Sequence, residues 1–311
     1  MTTPFFFLID FEQQQPIVVP LDKAAEQGLY FDIFGKNNVP STFSVPDKAL
    51  QLDVSPMNFS NYKQGFSLVQ QEIQRGNSYL LNLTYPTKIK TNYRLIDIFM
   101  QSNASYKLLY QDKFVCFSPE CFVRTQGNKI YTYPMKGTID ATLPDAKAQL
   151  LSSQKELWEH NTIVDLMRND LAMVASNIEV LRFRYAELIQ TERGAIWQTS
   201  SEIAGDLPLN WRDDPLAIIK KMLPAGSISG APKAKTVEII QRAEQQPRGF
   251  YTGVFGYFDG ECLESAVCIR YIENTGQGLQ FRSGGGITRH SDVESEYQEL
   301  LAKVYIPTQR G

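Results

Sequence analysis

Residues 153–174, SQKELWEHNTIVDLMRNDLAMV, contain the helical pattern that decides the predicted fold class. The apolar side chains of this segment fall on or near one stripe of a helix, and they are Leu157, Ile163, Leu166 and Leu171. Ser153 and Glu156 have the spacing of a capping box at a helix start. We therefore predict helical structure from about residue 145 to about residue 174, in the middle of the chain.

On both sides of this helix the sequence predicts strands. Strand patterns occupy residues 78–91, 113–137, 251–260, 264–273 and 278–286, with a Gly127-Asn128 turn inside the second range. Four further helices are predicted at residues 59–73, 214–223, 231–245 and 291–305, the last opening on a possible capping box of Ser291 and Glu294. Strands toward both ends and helices in the middle favour an α+β protein over repeated βαβ units.

The composition of the chain limits the classes of protein to which it can belong. The chain has 311 residues, of which 43% are hydrophobic, so it is long enough for one large domain or two smaller ones. The net charge of −3 gives no basic excess for a nucleic-acid partner. No signal peptide or membrane-spanning stretch is visible, so no membrane partner is expected. Four cysteines without a C-x-x-C pair favour a cytoplasmic protein with reduced thiols.

Two pairs of glutamates have helical spacing. Glu156 and Glu159 are three residues apart on one predicted helix, and Glu296 and Glu299 on another. Residues at this spacing share a helix face, so four carboxylates converge if the helices meet. A group of that kind needs a cation, and oxygen ligands suit Mg²⁺. Each pair alone is more often a solvated helix face.

Small residues mark two candidate anion sites. The segment SGGGIT at residues 283–288 follows a predicted strand, and GSISGAPKAK at residues 226–235 precedes a predicted helix. Backbone N–H groups in such segments can bind an anion, although a tight connection explains each segment equally well. Arg270 at a strand end pairs with a carboxylate of a ligand or of the protein. Together these features suggest a pocket for a small polyanion bound with Mg²⁺.

Several motifs occur together and in order, and they resemble those of the chorismate-utilising enzymes. They are FSPECF, PMKGT, KELWEHNTIVDLMRNDL, PAGSISGAPKAKTVEII, RGFYTGVFGY, CIR and GGGIT followed by SEYQE. The resemblance covers about residues 73–305 and is greatest to the chorismate-binding component of the aminodeoxychorismate synthases. It implies a single domain over residues 1–311 with α/β/β/α layers, in which two sheets packed face to face are flanked by helices. Residues 1–57 would be a reduced N-terminal region.

The resemblance also implies a reaction and a covalent step. Lys136 stands where relatives that aminate chorismate at C4 often have lysine and anthranilate synthases have alanine. Its amine would attack C2 as the C4 hydroxyl leaves, and ammonia would then attack C4 and expel the lysine. The amine must be neutral for this attack, so burial would have to lower its pKa from the usual value of about 10.4. Glu120 matches the general acid that protonates the departing hydroxyl.

Further site residues follow from the resemblance alone. Glu159 and Glu299 match direct Mg²⁺ ligands, and Glu156 and Glu296 match residues that support the ion through water. The remaining matched positions would bind substrate, and they are Thr138, Ser227, Tyr251, Arg270, Gly284, Gly285, Gly286 and Lys303. The substrate would be chorismate, and the product would be 4-amino-4-deoxychorismate for para-aminobenzoate and folate synthesis.

Two positions depart from the family pattern. Gln198 replaces the histidine that helps the pyruvate-eliminating members, and Leu80 replaces a residue that is a basic lysine in isochorismate-type enzymes. Both departures favour aminodeoxychorismate synthase over anthranilate synthase or another chorismate-utilising enzyme. A binding module without activity is a further alternative, which the four glutamates, Glu120 and Arg270 disfavour. None of the cysteines has a glutaminase setting, so ammonia is expected from a separate glutamine amidotransferase subunit.

Overall fold

Two antiparallel β-sheets form the frame of the protein, which a computed structural model describes for residues 3–191 and 194–307. Within these ranges the strands are β1 Phe5–Ile9, β2 Ile17–Pro20, β3 Leu29–Ile33, β4 Lys36–Asn37, β5 Leu52–Ser55, β6 Leu80–Thr91, β7 Tyr106–Tyr110, β8 Phe114–Ser118, β9 Cys121–Gln126, β10 Lys129–Thr132, β11 Met135–Asp140, β12 Ser176–Thr191, β13 Gly194–Asp206, β14 Gly230–Ala231, β15 Val254–Phe258, β16 Leu263–Val267, β17 Tyr271–Asn274 and β18 Leu279–Thr288. The α-helices of the same ranges are α1 Phe59–Gln74, α2 Leu95–Gln101, α3 Ala146–Ser152, α4 Gln154–Ala172, α5 Pro215–Met222, α6 Lys233–Glu244 and α7 Val293–Ala302.

Each sheet combines strands from distant parts of the chain. The first sheet has the order β11-β13-β10-β9-β16-β15-β1-β2, with β12 on the free side of β13. The second sheet has the order β14-β6-β18-β17-β8-β7-β3-β4, with β5 beside β6. No helix in the described ranges is long and apolar enough to cross a membrane.

The burial of β1 shows how the layers pack. All five residues of its sequence FFFLI are buried. Phe5, Phe7 and Ile9 belong to the cluster formed with the helices, whereas Phe6 and Leu8 belong to a cluster between the two sheets. The helix α2 covers the other face of the second sheet, and α4 packs on β11 and β13 of the first. The predicted α+β fold with two packed sheets and flanking helices is confirmed, whereas the single domain over residues 1–311 stays a prediction.

The helix predicted over about residues 145–174 is interrupted. The structure has two helices, α3 and α4, that meet at Ser153. Ser153 is the N-cap of α4 and accepts a hydrogen bond from the backbone N–H of Glu156 at 3.3 Å. The Arg184 guanidinium donates to the carbonyls of Leu150 and Leu151 at the end of α3, which stabilises the interruption. This long-range capping group is invisible in a local pattern.

The strand predicted at residues 264–273 is also interrupted, and the break connects the two sheets. Strand β16 belongs to the first sheet and β17 to the second. Arg270 lies between them with a φ of 52°, in the left-handed region that few non-glycine residues adopt. The apolar run reads as one strand because both halves are buried, but the change of sheet requires a turn at Arg270.

The glycine segment at residues 283–288 is a strand and not a connection. Gly284, Gly285 and Gly286 lie within β18 and pair in register with β6. A Cβ on Gly284 would lie 2.6 Å from the carbonyl oxygen of Leu83, so the glycine permits close packing of these two strands. The N-cap of the following helix α7 is Asp292, which accepts from the backbone N–H of Ser295, so the predicted Ser291 cap is wrong.

Candidate functional site

A cavity of about 440 Å³ is enclosed by residues of both sheets and of α4 and α7. Eleven of the residues predicted to form the site line it. They are Glu120, Lys136, Glu159, Ser227, Tyr251, Arg270, Gly284, Gly285, Gly286, Glu299 and Lys303. Leu80, one of the two departures from the family pattern, lines the same cavity.

Three predicted residues lie outside this lining. Thr138 is exposed on β11 and pairs in register with Gln198, so neither side chain borders the cavity. Glu156 lies against the backbone of Gly137, where an added Cβ would be 2.6 Å from its Oε2. Glu296 accepts a hydrogen bond from the Ser291 hydroxyl at 2.7 Å. Glu156 and Glu296 thus lie close to the lining without belonging to it, whereas Thr138 is exposed on β11.

A β-bulge directs Lys136 into the cavity. Met135 pairs with Ser200 and Thr138 with Gln198, so Lys136 and the residue after it both lie opposite a single residue of β13. The inserted residue, Gly137, has a φ of 91°, which glycine adopts without strain. The extra residue turns the Lys136 side chain toward α4.

The Lys136 amine is held by a carboxylate at the cavity wall. Its Nζ lies 3.0 Å from Oε2 of Glu159. Burial favours the neutral amine, but the charge and hydrogen bond of Glu159 outweigh it, and the pKa of Lys136 is raised above its usual value. The lowered pKa expected from the sequence is therefore wrong for this arrangement, in which Lys136 is an ammonium group. A nucleophilic role requires that Glu159 first move away from the amine.

Glu120 has the environment of a carboxylic acid. Burial raises its pKa, and this effect exceeds the opposing effects of the Ser227 hydrogen bond and the Arg270 charge. The Ser227 hydroxyl donates to Oε1 of Glu120 at 2.5 Å. A raised pKa keeps a carboxyl group protonated closer to neutral pH, where it can donate a proton. The geometry and the electrostatics both suit the predicted acid.

Lys303 connects the last helix to the glycine strand. Its Nζ donates to the carbonyl of Gly284 at 2.7 Å and to Oε1 of Glu299 at 2.8 Å. Burial lowers the pKa of Lys303. Burial acts to raise the pKa of Glu299, but the nearby Lys303 outweighs it and the pKa is lowered. Lys303 was implied only by family resemblance, and the structure places its amine in the cavity wall.

Of the four glutamates, Glu156 and Glu159 lie on α4, and Glu296 and Glu299 lie on α7. Burial and the neighbouring Glu159 raise the pKa of Glu156. Burial and Glu299 also raise the pKa of Glu296, although the Ser291 hydrogen bond opposes them. Within residues 3–191 and 194–307, no three acidic, histidine or cysteine side chains are close enough together to hold a metal ion. The carboxylate oxygens have the right chemistry for Mg²⁺, and the ammonium groups of Lys136 and Lys303 neutralise part of their charge here.

Arginines give another part of the cavity a positive character. Tyr251 is 3% exposed, and burial raises its pKa to about 12. The charges of Arg248, Arg282 and Arg270 all act on this tyrosine in the opposite direction. Arg270 and Tyr251 line the cavity together, so a carboxylate placed beside them would meet both positive charge and a phenol donor. The cavity therefore suits a small molecule with more than one anionic group.

Two buried ion pairs that the sequence did not reveal hold the cavity walls. Arg248 and Glu244 are both 1% exposed and lie 2.7 Å apart. Arg248 also donates to the carbonyls of Asn82 and Ile228, which line the cavity. Glu244 and Arg248 at i, i+4 have the spacing of an ordinary surface pair, so the sequence contains no signal of their burial.

The second pair holds the loop before α6. Asp170 Oδ1 lies 2.8 Å from the Lys233 amine, and its other oxygen accepts from the N–H of Gly226 at 3.0 Å. The Asp170 side chain is buried at the end of α4. This pair fixes the loop that contributes Ser227 to the cavity.

Comparison with protein families now identifies the chain. The family described as chorismate binding enzyme matches residues 13–309. The chain belongs to the chorismate-binding enzymes. It is 64% identical over 98% of its length to a PabA-like protein of Pasteurella multocida, of which it covers 94%. It is 32% identical over 80% of its length to aminodeoxychorismate synthase component 1 of Escherichia coli and covers 57% of that protein.

Other relatives extend across the family. Anthranilate synthase component 1 of Aquifex aeolicus is 30% identical over 79% of this chain, with 53% of the relative covered. Among solved structures, the chain superposes on the menaquinone-specific isochorismate synthase of Escherichia coli with a TM-score of 0.73 at 18% identity, covering 96% of this chain and 77% of that one. This likeness confirms the fold.

Proposed function

We propose that this chain is the aminating subunit of an aminodeoxychorismate synthase, which replaces the C4 hydroxyl of chorismate by an amino group. The observation that supports this most directly is Lys136, whose amine a β-bulge directs into the cavity that Glu120 also lines. Relatives named aminodeoxychorismate synthase component 1 at 30% and 32% identity agree with this choice.

The proposed reaction uses two successive displacements. The Lys136 nitrogen forms a bond to C2 while the ring double bond shifts and the C4–O bond breaks. Glu120 supplies the proton with which the hydroxyl leaves as water, which suits its raised pKa. Ammonia then forms a bond to C4, the double bond shifts back, and the C2–N bond to Lys136 breaks. The net change is replacement of hydroxyl by amine, with water as the other product.

The chain's own residues orient the substrate in this proposal. Arg270 and Tyr251 hold one carboxylate of chorismate, since they supply positive charge and a hydroxyl donor in one part of the cavity. Gly285 and Gly286 let the substrate approach the backbone of β18, because side chains there would reach toward Glu299 and Lys136. Leu80 offers no base near C2, which disfavours attack by water there.

We further propose Mg²⁺ as the cofactor. Glu159 and Glu299 would hold it, with Glu156 and Glu296 behind them, because these oxygens are the hard ligands that Mg²⁺ prefers. The ion would supply positive charge to the ring carboxylate of chorismate. Engagement of Glu159 in this way would also remove it from Lys136, as the nucleophilic role requires.

We propose that ammonia comes from a separate glutamine amidotransferase. None of the four cysteines lies in the G-x-C-x-G setting of those enzymes. The purified chain should therefore use ammonium but not glutamine. Turnover of glutamine by the chain alone would contradict the proposed partner without affecting the proposed amination.

The deciding experiment identifies the product. The chain is incubated with chorismate, Mg²⁺ and ammonium at mildly basic pH, in parallel with Lys136→Ala, and the products are separated by liquid chromatography with mass spectrometry. We expect aminodeoxychorismate from the wild type and its loss from the variant. Anthranilate or isochorismate from the wild type would refute amination at C4 and would assign a different reaction to the same cavity.

A further inference from the structure

Two buried side chains contact the backbone carbonyl of Lys136, at the bulge that directs this residue into the cavity. The Thr199 hydroxyl donates to the Lys136 oxygen, and His160 Nδ1 lies 3.4 Å from the same atom. Thr199 and His160 are both fully buried, so water does not reach these contacts. The backbone of the candidate nucleophile is thus held from two other elements, β13 and α4.

These contacts favour one tautomer of His160. A carbonyl oxygen only accepts hydrogen bonds, so a hydrogen bond to it from Nδ1 requires the proton on that nitrogen. The other nitrogen, Nε2, then accepts from the Ser201 hydroxyl, which lies 2.7 Å away. The Ser201 oxygen in turn accepts the backbone N–H of Arg184 at 2.8 Å. Every donor in this chain of bonds has an acceptor, and every link is directed toward the Lys136 carbonyl.

The ring of His160 has little freedom to turn. Phe183 packs edge-on against it, with ring centroids 5.6 Å apart and an interplanar angle of 78°. Ser201 holds Nε2 of the ring from β13, the strand that also pairs with β11. A histidine held in one orientation is a suitable support for a neighbouring backbone group.

We propose that His160, as the Nδ1–H tautomer, is a positioning residue that holds the backbone of Lys136 so that its amine projects into the cavity. This inference deepens the proposed function and rests on it for its kinetic consequence. His160 itself does not border the cavity. Its loss should therefore slow the step that uses the amine and leave chorismate affinity largely intact, since Arg270 and Tyr251 lie on other elements.

The first test reads the tautomer directly. The chain has two histidines, so His290→Asn leaves His160 as the single imidazole in a ¹H–¹⁵N spectrum of the full-length protein. We expect a proton on Nδ1 and none on Nε2. A proton on Nε2 alone, or on both nitrogens, would overturn the proposal because the ring could not then accept from Ser201 while donating to Lys136.

The second test compares two substitutions that separate the ring nitrogens. In His160→Asn the amide can replace Nδ1 and still donate to the Lys136 carbonyl, whereas in His160→Gln it replaces Nε2 and keeps only Ser201. We expect kcat for amination to fall about tenfold or more in the Gln variant with KM within about twofold, and to stay within about threefold in the Asn variant. Equal losses in both variants would overturn the proposal.

A labelling readout keeps the inference independent of the proposed reaction. If the wild type aminates nothing, the proposed function fails, and acylation of Lys136 by an amine-reactive ester then decides the positioning role. We expect faster labelling of Lys136 in His160→Gln than in the wild type, measured against the exposed Lys155 of the same helix. Unchanged relative labelling would overturn the inference. Should the Gln variant not fold, Thr199→Val removes the other donor to the same carbonyl and must increase labelling in the same way.

Discussion

The buried ion pair of Arg248 and Glu244 offers the sharpest test of how the cavity is supported. Replacing Arg248 by methionine keeps most of the side-chain volume but leaves the Glu244 carboxylate buried without its cation. Removing one partner of such a pair costs about 3–5 kcal/mol. With the usual unfolding entropy per residue, a 311-residue chain would lose about 5–8 °C in melting temperature.

The same substitution should affect the cavity itself. Arg248 donates to the carbonyls of Ile228 at 2.8 Å and Asn82 at 2.6 Å, and both residues line the cavity. Without Arg248 no side chain joins these two carbonyls, and the cavity walls that contain them are held less firmly. We therefore expect a higher KM for chorismate as well as a lower melting temperature. Melting is followed by scanning calorimetry without ligand, and KM is measured on the folded variant at low temperature.

A matched control lies on α6, the helix that ends at Glu244. Arg242 pairs with Glu72 and Glu238 but is 47% exposed, so Arg242→Met should cost less than about 1 kcal/mol. Glu244→Gln added to Arg248→Met should recover part of the loss, because no buried charge then remains. If Arg248→Met melts like the Arg242 control, the argument from burial is refuted.

Three further predictions concern acidity, strand packing and the loop before α6. The pKa of Glu120 is raised in the folded protein above its unfolded value of 4.5, so wild-type stability falls as pH rises above that value. Glu120→Gln should therefore stabilise the protein at neutral pH and have no such effect below about pH 4.5. The melting temperature of both proteins, measured against pH, tests this. Gly284→Ala should cost about 1–3 kcal/mol, because its Cβ would lie 2.6 Å from the Leu83 oxygen, as denaturant unfolding will report. Asp170→Asn should cost about 3 kcal/mol by leaving Lys233 without its anion, measured the same way.

Each of these predictions has an outcome that contradicts it. A pH-independent difference between Glu120→Gln and wild type would show that the carboxyl titrates alike in the folded and unfolded chain. For the strand, Gly286→Ala is the comparison, since its Cβ meets the ends of two side chains, Leu80 at 3.1 Å and Lys136 at 3.9 Å, and should be tolerated better. Lys235→Gln, at an exposed pair on the same helix as Lys233, should be close to neutral, and a loss as large as that of Asp170→Asn would contradict the role of burial.

The sequence predicted the secondary structure best where one periodicity extends over a whole element. The patterns of α1 and β6 are of this kind, and both predictions are confirmed. Predictions failed where a distant contact changes a locally uniform pattern. The Arg184 guanidinium interrupts the central helix at Ser153, and the turn at Arg270 divides one apolar run between two sheets. Neither the Arg184 contact nor the change of sheet at Arg270 is visible in a ten-residue window of the sequence.

The candidate site shows the same difference between what a local pattern predicts and what depends on the three-dimensional arrangement. Lys136 and Glu120, which motif resemblance singled out, both line one cavity. Thr138 lies outside that lining, directly after the bulge at Gly137, and its role stays a prediction. The raised pKa of Lys136 could not be foreseen, because it depends on the orientation that Glu159 takes in three dimensions.

The pairing of β1 has a consequence for how the chain is made in the cell. Phe5 near the start of the chain lies opposite Phe258, and β6 is completed only by β18 at residues 279–288. During synthesis, neither sheet can therefore be completed until residues 254–288 have left the ribosome. The apolar strand FFFLI can pair early with β2 on one edge, but its other edge must wait for β15, which leaves the nascent chain open to aggregation and favours help from chaperones.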